Sequence, residues 1–385
     1  MLRVFSRATR IWRRSATSRI RGAGYGKLPT PDTGNGLSLT VSASAGWRTF
    51  GGISAIVLPP VVFGGLVAAL WSWKCLMMIL FQNKIIYMPG LPPNARKEKI
   101  ENYQNQCGGI QWRQESAISE DGTRISLCVA SVDFGLDASS HAKTVYILYF
   151  QGNASSIPPR LPLLSPVLRI LRERSLSPVR YTMVCCSYRG YWSSEGHPSE
   201  RGITMDAIAA MAWIREFHDS EPIGSLGEHA TIVIWGQSIG ASVAISLAAK
   251  NHKFSQTNLS LNALVLETPF LSIRAMLETL YPQKWLPYRH LWPFLWNHLD
   301  GWNALGLMQR NFENCGSKSP IILILQAGKD ELVPKEHGDT LQRRCLELNL
   351  DVQKKIISGS LHTEVMVRHE GRMAVVEAVE AAVRD

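Results

Sequence analysis

The chain has 385 residues, enough for one large α/β core and an appendage, and its 41 Lys and Arg outnumber 31 Asp and Glu for a net charge of +10. The excess is local: residues 1–50 hold nine basic side chains against one acid, Asp32, so the remainder is close to neutral, which argues against a nucleic-acid partner. Seven cysteines without CxxC or Cys/His spacing argue against a disulfide framework or a zinc site, and no cofactor or metal is expected.

In chain order, the first 31 residues carry seven Arg and no acid, with Leu2, Val4, Phe5, Ile11 and Trp12 between the charges. That composition predicts a mitochondrial transit peptide within residues 1–50, the alternative being a basic tail lying on anionic lipid. No charge occurs from Thr49 to Trp73, and apolar character resumes after Lys74 as far as Phe81. A transmembrane anchor is predicted within residues 51–81, its helix starting near Val61 after Pro59-Pro60, and a hairpin helix buried on the main domain is the alternative. Residues 82–105, rich in Pro and charge after Pro89, read as a linker, and residues 106–385 as the main domain.

Beyond the linker, Gly109–Ser116 and Arg124–Val132 predict an antiparallel hairpin across Glu120-Asp-Gly122. Six further apolar, partly β-branched runs follow between helical stretches: Thr144–Phe150, Thr182–Ser187, Thr231–Trp235, Ala263–Leu266, Ile321–Leu325 and Val352–Ile357. Continuous apolar strands alternating with helices predict an α/β fold, an eight-stranded, mostly parallel sheet covered on both faces. Residues 270–319 carry Trp285, Trp292, Trp296 and Trp302 among prolines and read as a lid insertion, suited to an acyl chain or a membrane surface, or as an ordinary packed excursion.

Chemistry concentrates where Thr231–Trp235 runs into Gly236-Gln-Ser-Ile-Gly240 and then the small-residue stretch Ala241–Lys250. Strand, Gly-x-Ser-x-Gly and helix together predict a sharp turn that lifts the Ser238 hydroxyl above the sheet. A serine hydroxyl needs a base, and the base needs a carboxylate to hold its tautomer. Asp330 follows the strand Ile321–Leu325 and His362 follows Val352–Ile357, in the chain order Ser, acid, His. The competing acids are Glu331, Asp339 and Glu267; the competing bases, His337 and His369, read as surface positions. An oxyanion hole needs two backbone amides. Ile239 should supply one, and Asn153 or Ala154, in the loop Gln151-Gly-Asn-Ala-Ser155, the other.

The runs Gln151-Gly-Asn-Ala154, Ser187-Tyr-Arg-Gly-Tyr191, Ser194-Glu-Gly-His-Pro-Ser-Glu200, Gly236-Gln-Ser-Ile-Gly240, Glu267-Thr-Pro-Phe270 and Gly328-Lys-Asp-Glu-Leu-Val-Pro334 closely resemble the bud-emergence-type α/β-hydrolase-domain family. The resemblance covers about residues 80–385, including Phe81-Gln-Asn-Lys-Ile-Ile-Tyr-Met-Pro89. It implies a membrane-tethered serine hydrolase of the α/β-hydrolase fold, with relatives that include lipid and acyl-protein thioester hydrolases. The family usually has His where this chain has Gln151.

The expected activity is therefore hydrolysis of an acyl-ester, acyl-thioester or lipid substrate through an acyl-enzyme on Ser238, with the lipid bilayer engaged through residues 51–81. Two other readings stand beside it: a non-catalytic membrane scaffold of the same fold, and a peptidase of the serine-aminopeptidase type. The presequence with one apolar span places the expected enzyme in the mitochondrial inner membrane, with an endoplasmic-reticulum anchor as the alternative.

Overall fold

The computed structural model describes residues 57–134, 143–221, 229–250 and 258–384. The expected targeting segment, residues 1–50, lies outside the described residues.

The first described element, helix α1 (Leu58–Leu80), opens with Pro59 and Pro60 in its first turn, where a missing N–H costs nothing. Its 23 residues rise about 34 Å, so it is long and apolar enough to cross a membrane, and none of them is buried. The segment expected as a linker packs onto the main domain instead. Helix α2 (Gln82–Tyr87) buries Gln82 and Tyr87, and α3 (Glu101–Gln104) follows. Between them Arg96 donates to the carbonyls of Trp192 (3.1 Å) and Ser194 (2.8 Å), and Trp192 Nε1 donates to the Glu98 carbonyl at 2.7 Å. A prolyl-rich stretch that looks unstructured by composition is thus fixed by two backbone acceptors and a side-chain donor more than ninety residues away.

The sheet has eight strands: β1 (Arg113–Ile118), β2 (Arg124–Phe134), β3 (Lys143–Phe150), β4 (Val179–Ser187), β5 (Ala230–Gln237), β6 (Leu259–Glu267), β7 (Ile321–Ala327) and β8 (Val352–Ile357). Their order is β1-β2-β4-β3-β5-β6-β7-β8; β2 runs antiparallel to both its neighbours, β1 and β4, and β3 to β8 are parallel to one another. The first strand starts four residues later than expected, because Trp112 turns inward to hydrogen-bond Ser165 Oγ through Nε1 at 2.9 Å.

Alternation along β3 builds two cores. Tyr146, Leu148 and Phe150 face a layer formed by α5 (Glu200–Ser220), α6 (Ile239–Ala248) and, from the far side of the insertion, α8 (Gly301–Asn314). Val145, Ile147 and Tyr149 face α4 (Leu161–Arg174) and α10 (His369–Arg384). Between β6 and α8 the insertion contains α7 (Ile273–Leu280) and two short 3₁₀ turns, and α9 (Lys335–Glu347) links β7 to β8.

Because β3, β5, β6, β7 and β8 are parallel, their carboxyl ends fall along one edge, at Phe150, Gln237, Glu267, Ala327 and Ile357. The helix after β3 covers one face and the helix after β5 the other, so a crevice opens between these two strands. Two of the family-like runs prove structural. Arg189 ion-pairs with Asp206 (2.8 Å) and Asp121 (2.6 Å), and Asp206, fully buried, also accepts from Ser119 Oγ at 2.7 Å. Ser199 caps α5 by accepting from the Gly202 amide at 3.1 Å.

Candidate active site

Ser238 stands between β5 and α6 at φ 53°, ψ −115°, a left-handed conformation costly for any residue with a side chain. The surroundings leave no alternative. A Cβ at Gly236 would lie 2.1 Å from the Gly240 carbonyl oxygen, and one at Gly240 would lie 2.2 Å from the Phe150 carbonyl oxygen. Only glycines let strand, turn and helix close this tightly. The turn is held on the other side by the Ser238 amide, which donates to the Glu267 carbonyl at 2.8 Å.

Two more sequence-expected residues come together at the ends of β7 and β8. His362 Nδ1 lies 2.9 Å from Asp330 Oδ2, with the two side chains 4% and 5% exposed. The carboxylate partner assigns the proton to Nδ1 and leaves Nε2 as an acceptor, the tautomer a general base requires. Burial would raise the Asp330 carboxyl, but the His362 hydrogen bond and charge, with the Leu332 and Val333 amides at 2.9 and 2.8 Å, hold it below its ordinary value. Glu331, a competing acid, is outside this pair: its carboxylate accepts from the His362 backbone amide at 3.0 Å. Asp339 is an exposed partner of Lys354. No hydrogen bond joins Ser238 Oγ to His362.

Of the competing bases, His369 is exposed at the start of α10, but His337 is buried, contrary to its expected surface position. It accepts from the Leu271 amide through Nδ1 (3.2 Å) and contacts Thr279 Oγ1 through Nε2 (3.2 Å), tying the insertion to α9.

The oxyanion loop resolves an alternative that the sequence left open. The Ala154 amide donates to the Tyr87 carbonyl at 3.0 Å, so it is occupied and the expectation of a donor there is corrected. Among the described residues, the amides of Asn153 and Ile239 have no acceptor within the chain. Gly152 approaches Ser238 closely enough that an added Cβ would sit 3.4 Å from the serine Cβ. Gln151 is fully buried, and neither polar atom of its side chain has a partner. A residue whose backbone carbonyl accepts from Tyr188 OH at 2.9 Å therefore carries an unsatisfied amide into the core.

Beneath the serine lies a polar chain that sequence reasoning missed in part. Gln237 Nε2 donates to Glu267 Oε1 at 3.1 Å, Trp235 Nε1 donates to Glu267 Oε2 at 3.0 Å, and Arg160 Nη1 donates to Gln237 Oε1. Burial pushes the Glu267 carboxyl up to about 7, against the hydrogen bonds and the nearby Arg160 and His362 that would lower it. Glu267 thus braces the turn through both main chain and side chain. The cross-strand register that pairs Gln237 with Glu267 was the signal available, once strand ends are known to the residue.

No protein-family model matches the chain. Over 233 residues it is 31% identical to the lysophosphatidylserine lipase ABHD12 of Macaca fascicularis, covering 60% of this chain and 52% of that protein. Over 287 residues it is 26% identical to protein bem46 of Schizosaccharomyces pombe, covering 74% of this chain and 82% of that one. The chain spans about half the length of the curated lipases it matches. An α/β hydrolase from Vibrio vulnificus superimposes with a TM-score of 0.54 at 16% identity, over 77% of this chain and 92% of the other, a likeness of fold. The homologues of the chain are thus ABHD12 and Bem46, bud-emergence-type α/β-hydrolase-domain proteins, and its fold is that of the α/β-hydrolases.

Proposed function

We propose that the protein is a membrane-anchored serine hydrolase that cleaves carboxylic esters, including lipid esters, or thioesters. The observation that carries the reading is the strained Ser238 at the strand-to-helix turn, on the same sheet edge as a buried Asp330–His362 pair in the base-competent tautomer. In this scheme Ser238 Oγ attacks the acyl carbon while its proton passes to His362 Nε2, and Asp330 steadies the imidazolium. The carbonyl oxygen becomes an oxyanion held by the Asn153 and Ile239 amides. Collapse breaks the bond to the leaving alcohol or thiol, which takes the proton back, and water then releases the acid by the same route.

The lysophosphatidylserine lipase relatives favour a lipid ester with a single acyl chain over an acyl-protein. Fluorophosphonate labelling tests the reading: Ser238 is the expected adduct, and Ser238→Ala should abolish labelling and lower ester turnover at least about 10³-fold. Unchanged turnover in that variant ends the proposal. A second reading, a scaffold without catalysis, draws on the orphaned side chain of Gln151 beside the oxyanion loop, and it requires no labelling at all. The membrane is proposed to be mitochondrial, on the composition of residues 1–50; a reporter fused to them and found elsewhere removes that assignment.

A further inference from the structure

Between α7 and α8, residues 281–298 contain no Asp or Glu but carry Lys284, Arg289, His290 and His298 and six aromatic rings. Four of the rings are turned outward: Trp285 is 67% exposed, Phe294 58%, Trp296 53% and Trp292 42%. A domain surrounded only by water does not gain from such a patch, which costs hydration at every ring.

The segment is fastened to the chain that leaves α1. Lys74 Nζ lies 4.2 Å from the centre of the Tyr288 ring, and Tyr281 OH reaches Met78 Sδ at 3.9 Å. Further on, Gln82 Oε1 accepts from the Trp296 amide (3.0 Å) and Asn297 Nδ2 (3.1 Å), while Asn83 Oδ1 accepts from Asn297 Nδ2 (2.6 Å) and Trp296 Nε1 (3.3 Å). These bonds are specific and partly buried, so the aromatic segment cannot drift from residues 74–83. Leu76, Leu80 and Phe81, on that same stretch, are themselves exposed.

Lys74 is the first charge after an uncharged run, and its ammonium rests on a tyrosine face. In a membrane-crossing helix a lysine reaches for the headgroup layer, where tyrosine and tryptophan also prefer to stand. The Tyr281–Tyr288 pair therefore marks the depth of the interface, and the outward rings of the insertion stand close to it in sequence and structure. Arg274 and Arg289 share one carboxylate, Glu278 (3.6 and 3.5 Å), so with Lys284 the segment and the helix before it keep an excess of positive charge, and aromatic rings in that setting match an anionic lipid surface in both polarity and charge.

We propose that residues 281–296 are an interfacial docking surface, seated in the headgroup layer of the anionic bilayer that α1 crosses. The mouth of the crevice then opens toward lipid, and an acyl chain reaches Ser238 without passing through water.

The test uses the full chain in liposomes of phosphatidylcholine and phosphatidylglycerol, in a Cys75→Ser, Cys315→Ser background, which leaves the described cysteines all buried. A polarity-sensitive fluorophore is attached in turn at Phe294→Cys, at Leu66→Cys within α1, and at Leu176→Cys, an exposed position on the loop after α4. Unchanged melting temperatures establish that each variant is folded. Brominated lipids are expected to quench the labels at 66 and 294 by about half or more and to leave 176 unaffected. A label at 294 that behaves like 176 while 66 is quenched overturns the docking surface and leaves the span standing. No quenching at 66 overturns both. The readout is independent of catalysis, so a failure of the hydrolase reading does not mimic a failure here.

Discussion

Glu267 is a carboxyl whose protonation state is felt at the nucleophile turn, because its main chain holds the Ser238 amide and its side chain holds Gln237 and Trp235. Its pKa is raised to about 7 by complete burial, against about 4.3 in an unfolded chain. Between those values the folded state binds more protons than the unfolded one, so the stability Glu267 contributes is full below about 4.3 and is lost as pH rises through about 7. Glu267→Gln removes this titration. The difference in unfolding free energy between wild type and variant, measured in detergent, should shift by about 3 kcal/mol between pH 4.5 and 8, the wild type losing ground as pH rises. Parallel curves would mean that Glu267 does not titrate in this window. Asp330, whose acidity is shifted the opposite way, cancels in the difference. The strained turn at Ser238 and the Asp330–His362 pair were legible in the sequence because a strand-to-helix turn and two strand ends are local patterns. Arg160, Gln237 and the occupied Ala154 amide were not, since each is defined by a partner between 67 and 88 residues away or, for Gln237, by which face of β5 it occupies.

At the scale of elements, the insertion is tied to α9 by a neutral histidine. The Leu271 amide donates to His337 Nδ1, which requires that nitrogen to be an acceptor; Nε2 then carries the proton toward Thr279. Burial lowers the pKa of His337, and the charges of Glu336 and Asp330, which would raise it, are outweighed. Its neutral form is the folded form, so the stability it supplies is full above the ordinary imidazole value near 6.5 and is lost as pH falls through the lowered one. Protonation also breaks the Leu271 bond. Hydrogen exchange at the Leu271 amide, corrected for intrinsic rate, is expected to lose protection as pH drops from 7.5 to about 5. His337→Gln, which offers an acceptor at every pH, should flatten that response, and an unchanged response in this variant would assign the opening to another group. The six strands β3 to β8 were read from apolar runs, since a buried parallel strand advertises itself as continuous Val, Ile and Leu, and β1 and β2 from the hairpin turn at Glu120-Asp-Gly122. His337 was misplaced for the complementary reason: α9 is rich in charge, and nothing in its own sequence shows that the insertion covers one of its faces.

For the molecule as a whole, the consequential departure from expectation is residues 82–105, where composition suggested a linker and the structure shows part of the site's scaffolding. Tyr87 is fully buried, its hydroxyl donates to Asn297 Oδ1 at 3.0 Å, and its carbonyl accepts from both the Ala154 amide and Tyr191 OH. One residue just beyond α1 therefore holds the oxyanion loop, the insertion and the loop after β4 in register. Ala154 and Ser155 have positive φ, 57° and 63°, and their amides are fixed by the carbonyls of Tyr87 and Leu91. Without those acceptors two left-handed non-glycine residues would relax, and the Asn153 amide would move with them. A chain that begins at Trp73 keeps every one of these contacts and is expected to hydrolyse a soluble short-chain ester at a rate within about threefold of the full chain. One that begins at Gly108 removes Tyr87 and Leu91 and should lose at least about 10²-fold in kcat, the scale of one oxyanion donor. Tyr87→Phe separates the side-chain bond of Tyr87 from its two main-chain ones: it keeps the carbonyl that holds Ala154 and Tyr191 and deletes only the hydroxyl, so its kcat should stay near wild type while stability falls by about 1 kcal/mol. Equal kcat for the two shortened chains would show that the segment after α1 only tethers the domain, with no part in shaping the loop that faces Ser238.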